Sequence, residues 1–191
     1  RSSDFVPLSV ANHVLGGGGS ARLFVDLRET RGLTYGAYSS VVELTEPAPF
    51  AVATSVRTPV TVEAIGAIME HLTRITSEPI PDDELAFARR YLADSFPLQI
   101  DTPGKIVQLV AESRVFGLPE NYWDTYRTAI SAVTAEEALA AATRDIRPAE
   151  AAIVIVGEAS AFAEGLTAWG PVRIVDVDGH LIRELPAATP N

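Results

Sequence analysis

The 191-residue chain has no cysteine, three histidines and one lysine, Lys105. Without thiols it can build neither a disulfide framework nor a thiolate zinc site. With so few lysines and a net charge of -10, it lacks the clustered cationic surface that phosphate backbones require, so nucleic acid is not an expected partner. No apolar run approaches the roughly 18 residues of a bilayer span, and no basic, apolar leader precedes the first element. The first residue is Arg1 rather than methionine, so the chain is expected to be a piece of a longer protein, with upstream room for any targeting signal or partner domain. Bacterial periplasm and cytoplasm both remain open as its location.

The chain is 47% hydrophobic, enough for one sizeable core. Helical spacing of Val6, Val10, Val14 and Leu15 predicts a first helix that stops at the glycines 16–19. Ser20 is placed to cap a second helix, Ala21 to about Arg31, with Gly32 as its left-handed terminator. The period then changes to alternation in LTYGAYSSVVEL, and after a break at Glu46–Pro49 it resumes in FAVATSVRT, as in an antiparallel strand pair. Thr58-Pro59 opens an amphipathic helix carrying Val62, Ile65, Ile68, Met69 and Leu72 on one face. From Pro81 to Ile146 the pattern divides into four short helices, the last with a Thr134/Glu137 capping box. AAIVIVGEA reads as a central strand, followed by a short helix to about Trp169 and a last strand, PVRIVDVDG, with its turn.

This order predicts an α+β, two-layer sandwich in which a mostly antiparallel sheet is covered on one face by helices. One domain is expected over residues 1–185, lacking an upstream strand, with 186–191 as a tail.

Four glycines followed by Ser20 invite comparison with a phosphate-cradling loop. Such loops follow a strand and open a helix, whereas these glycines follow a helix and lack the Gly-Lys-Ser/Thr ending. They read instead as a flexible corner between two helices. The histidines do not assemble a hydrolytic zinc site either, because ligand pairs on one helix face lie about four residues apart. His71 has no such companion and is expected at the surface; His13, at a helix end, is expected to complement the helix dipole. Asp82, Asp83 and Glu84 read as an acidic first turn of a helix.

The phrase formed by Leu15–Gly17, Ser20, Arg22–Phe24, Leu27–Glu29, Arg31–Leu33 and Tyr35 resembles the insulinase and pitrilysin family of zinc peptidases, which includes the mitochondrial processing peptidase. ENYW and IVIVGEA extend the likeness along the chain. The resemblance implies a repeated domain that closes clam-like around a peptide. One copy carries zinc on His-x-x-Glu-His; the other, which this sequence resembles, carries no metal. It implies that Arg28 and Tyr35, seven residues apart, reach in trans toward the substrate carbonyl at a zinc site held by a homologous domain or subunit. No cofactor is expected in this domain, zinc is expected in the partner, and peptide is the expected substrate. Pattern alone leaves open that Arg28 caps its own helix and that Tyr35 is an ordinary strand aromatic. Arg31, nearer to Tyr35, does not fit the family spacing. A non-catalytic structural or assembly subunit of the same fold is the alternative reading.

Overall fold

The computed structural model describes residues 5–41 and 49–189. Its centre is helix α1 (Phe5–Gly16), which is apolar nearly all round: Val10, Ala11 and Leu15 are fully buried. A helix of that composition can only be stable when surrounded. It packs against strand β1 (Thr34–Val41) and against helices α4 (Asp82–Ser95) and α7 (Ala135–Asp145).

The second helix departs from the expected form. Only Arg22–Phe24 (α2) is α-helical; Val25–Thr30 continues as a π-helical turn in which Arg31 N–H reaches back to Asp26 C=O at 2.9 Å. Ser20 does not cap it, since Ala21 is the residue that enters the helix and no side chain bonds there. Gly32 does terminate it, with φ +62°, and the Leu33 N–H closes onto Leu27 C=O at 2.8 Å.

β1 pairs antiparallel with β2 (Phe50–Val56), and their inward residues Ala37, Ser39, Val52 and Val56 face the core formed with α1. The expected break at Glu46–Pro49 lies outside the described residues except for Pro49. A 3-10 turn, Thr58–Val60, leads into α3 (Thr61–Ser77), which buries Ala64, Ala67, Ile68, Leu72 and Ile75. Thr58 contributes no side-chain cap there. α4, α5 (Pro103–Val115), α6 (Tyr122–Ala132) and α7 are the four short helices, and the Thr134/Glu137 capping box is present in both directions. Thr134→Ala is expected to cost about 1 kcal/mol, read as a lowered urea midpoint with an unchanged m-value.

The α+β class holds, but among the described residues the strands form two separate sheets. After the short α8 (Ala163–Leu166), β3 (Val172–Val175) and β4 (Leu181–Leu185) make a hairpin of their own. The run AAIVIV (151–156), expected as a central strand, joins no ladder. Val154 and Val156 stand almost fully exposed. A strand exists only through its neighbours' hydrogen bonds, and among the described residues none is aligned beside this one. In the tail, Ala188 N–H donates to Thr167 C=O. Among the described residues no helix is long and apolar enough to cross a membrane.

Candidate functional site: an arginine held between two rings

Phe24 and Arg28 lie four apart on the helix and so share a face. Gly32 then reverses the chain, and β1 returns across the end of the π-helical turn. The result brings Arg28 and Tyr35 together: the Arg28 guanidinium carbon lies 4.6 Å from the centre of the Tyr35 ring and 4.8 Å from that of Phe24. Stacking on an aromatic face leaves the guanidinium N–H groups free at its edge. Among the described residues the Arg28 side chain makes no hydrogen bond or ion pair, so it does not cap its own helix. Tyr35 is 85% exposed and therefore not an ordinary half-buried strand residue. Phe24 is itself buried, and its place beneath Arg28 was legible only as an i, i+4 spacing that many helix pairs share.

Arg31 is occupied elsewhere. It pairs with Asp26 at 3.0 Å and with Glu70 at 3.2 Å, and these carboxylates hold its pKa above the usual arginine range. Asp26 also receives His71 Nε2 at 3.0 Å, which fastens the π-helical turn to α3. Desolvation pulls the Asp26 carboxyl upward, but the bonds and charges of Arg31 and His71 together leave it below the ordinary aspartate value. His71 is thus not the free surface residue expected, because its side chain is 14% exposed and committed to Asp26. Arg22, with a side chain 7% exposed, pairs with Glu84 at 2.7 Å, so part of the acidic first turn of α4 serves as an anchor.

His13 also departs from its expected role. Its ring stacks on Tyr91 at 4.5 Å between centroids, and burial lowers its pKa, so desolvation outweighs the helix dipole and the imidazole is kept neutral. Because its folded pKa is depressed, the unfolded chain binds the extra proton. Stability is therefore full above the unfolded value of about 6.5 and falls as pH drops from there toward the folded value. Urea unfolding at pH 7.5 and 5.5 should show that loss, and His13→Gln should flatten it.

The glycine corner is built less for flexibility than for closeness. A Cβ on Gly16 would sit 2.4 Å from the Ser39 backbone nitrogen, and one on Gly17 would sit 2.6 Å from His13 Cα. At Gly18 and Gly19 nothing comes nearer than 3.8 Å, so only these two are sterically free.

Among the described residues no set of possible zinc ligands converges on the Arg28–Tyr35 pair. The group of possible ligands among the described residues is Asp176, Asp178 and His180, in the exposed turn between β3 and β4. There the Asp176 carboxylate closes the turn by accepting the N–H groups of Asp178 and His180. That arrangement offers no enclosed position for water and substrate, and so does not fit a hydrolytic zinc.

Comparison with known proteins follows the same lines. An uncharacterised zinc protease of Streptomyces coelicolor is 27% identical over 150 residues, covering 78% of this chain and 32% of its own length. The peptidase M16 inactive domain of Pseudomonas fluorescens superposes with a TM-score of 0.72 at 26% identity, over 77% of this chain and 35% of that one. The inactive peptidase domain from Bordetella parapertussis shares the fold, with a TM-score of 0.65 at 21% identity over 76% and 79% of the two chains. The chain thus spans about a third of the Streptomyces and Pseudomonas proteins. Residues 1–92, which include α1, the glycine corner and both members of the Arg28–Tyr35 pair, match the model of the peptidase M16 inactive domain. These matches support, at the level of the family, the resemblance to the insulinase and pitrilysin-like peptidases, and within that family they are to the inactive, C-terminal type of domain.

Proposed function

We propose that this domain closes over a peptide and supplies Arg28 and Tyr35 to a zinc site held by another domain or subunit. The observation that carries the reading is the placement of the guanidinium: a charged side chain is oriented by two rings, yet has no counter-ion among the described residues. Such a group is poised to stabilise negative charge that develops on something outside the domain. In peptide hydrolysis that charge appears on the carbonyl oxygen as it becomes tetrahedral. The guanidinium edge and the Tyr35 hydroxyl are both N–H or O–H donors that can face it. Zinc, bound by the partner, would supply the activated water. The zinc protease of Streptomyces, about three times as long as the matched region, supports the presence of such a partner.

The exposed run 151–156 supports a second part of the reading, that the domain is completed by chain outside these residues. An unpaired apolar segment of strand composition is where another strand would add.

The test joins the domain to its zinc-bearing partner and compares peptide hydrolysis by wild type, Arg28→Gln and Tyr35→Phe. Turnover should fall in both variants. Wild-type turnover in both would leave the assembly reading, in which the domain is structural and neither residue matters.

A further inference from the structure

The alternation of β1 does not place Tyr35 where it is found. Ala37 and Ser39 are buried, and Val41 packs against the core, so odd-numbered residues of this strand point inward. Counting back by two, Tyr35 belongs on the same inward face. It lies outside because the register slips: Ala37 is opposite Thr54, but Thr34 rather than Tyr35 is opposite Val56. Tyr35 and Gly36 together face the single residue Ser55, which is a β-bulge, and one extra residue reverses the parity of everything before it.

We infer that the hydroxyls of Thr34 and Thr54 hold this bulge and thereby aim Tyr35 at Arg28, which makes both threonines positioning residues for the pair. A bulge leaves backbone groups without ladder partners, and here the two side chains take them up. Thr34 Oγ1 accepts from Gly36 N–H at 3.1 Å and lies 2.7 Å from Ser55 O and 3.0 Å from Gly36 O. Thr54 Oγ1 lies 2.9 Å from Thr34 Oγ1 and 2.9 Å from Gly36 O. Each hydroxyl has one proton to give, so the two divide the carbonyls of Ser55 and Gly36 between them and lock together. A Cβ on Gly36 would stand 2.8 Å from the ring of the half-exposed Tyr38, which would have to swing aside. The bulge is therefore specified from two sides: by the two threonines and by the inward residues that fix the register beyond it. Removing the hydroxyls favours a slip that turns Tyr35 toward the core face and away from Arg28.

The catalytic consequence rests on the Arg28–Tyr35 reading above, but the geometric consequence does not, and the experiment separates them. In the full zinc-bearing protein, Thr34→Val, Thr54→Val and the conservative Thr34→Ser are compared by turnover, KM and the proton shifts of the Arg28 side chain. Ring currents from Phe24 and Tyr35 move the Arg28 δ-methylene protons upfield. Both valine variants should lose the Tyr35 part of that displacement, with Phe24's part remaining, and Thr34→Ser should keep both. Turnover should fall about tenfold in the valine variants, with KM changed less than twofold, since a misplaced group costs most in the transition state. Thr54→Val takes from Thr34 Oγ1 and Gly36 O the partner that fixes them, with a smaller loss than Thr34→Val, so it serves if Thr34→Val does not fold. Unchanged Arg28 shifts in the folded valine variants would overturn the inference. Shifted protons with wild-type turnover, there and in Tyr35→Phe, would uphold the positioning and overturn the catalytic reading instead.

Discussion

Tyr35→Phe in the assembled protein is expected to lower peptide turnover by about 10²–10³-fold, the range found when one oxyanion donor is removed, with little change in KM. The substitution is informative because it separates two functions of one side chain. The ring remains, so the stack that orients Arg28 at 4.6 Å is kept. Only the hydroxyl is lost. Tyr35 is 85% exposed, so the unfolding free energy of the domain should stay within about 0.5 kcal/mol of wild type. Arg28→Gln should cost at least as much, since it removes the charge as well as the donors. If both donors face one developing oxyanion, the double variant will be less impaired than the product of the single effects. Steady-state kinetics with a fluorogenic peptide, alongside thermal unfolding, makes the comparison.

Gly16→Ala is the substitution expected to damage stability most for its size. The added methyl would fall 2.4 Å from a backbone nitrogen and 2.6 Å from Ser39 Oγ, where neither helix α1 nor strand β1 can yield independently. Ser39 Oγ is already bonded to Asn12 Oδ1 at 2.8 Å, so it cannot swing aside without breaking that contact. The cost should lie near the upper end of the overpacking range, about 3 kcal/mol. In a domain of this size that is a fall in melting temperature of about 6–12 °C. Gly17→Ala should behave similarly, because His13 Cα and the stacked His13 ring lie beneath it. Gly18→Ala and Gly19→Ala should be nearly neutral. A hinge would respond differently, with all four alanines affecting opening rather than stability, and melting curves of the four variants distinguish the cases.

Much of the helical framework was legible from the chain. α1, α3 and the four helices between Asp82 and Asp145 follow from apolar spacing and from Pro, Gly and capping residues, all interactions within a few positions of one another. The Thr134/Glu137 box was specific because both halves of the signal lie on one turn. Where the reading failed, the deciding partner was far away in sequence. AAIVIV has the composition of a strand, but a strand is made by its neighbour. His71 looked free because Asp26, which binds it, is 45 positions earlier. The glycines looked flexible because Ser39, which crowds Gly16, belongs to another element.

The candidate site divides in the same way. Sequence by itself determined the family phrase, the helix that carries Arg28, the left-handed Gly32 that ends it and the strand that carries Tyr35, because each is set by local spacing and backbone chemistry. Tertiary structure alone decided that Arg31 would be spent on Asp26 and Glu70 while Arg28 was held between two rings. It also decided the face of Tyr35. Alternation along β1 points that residue inward, and only pairing with β2, which inserts one unmatched residue before Ala37, turns it outward to meet the arginine. The register of a strand is a property of two strands, so no single segment can state it.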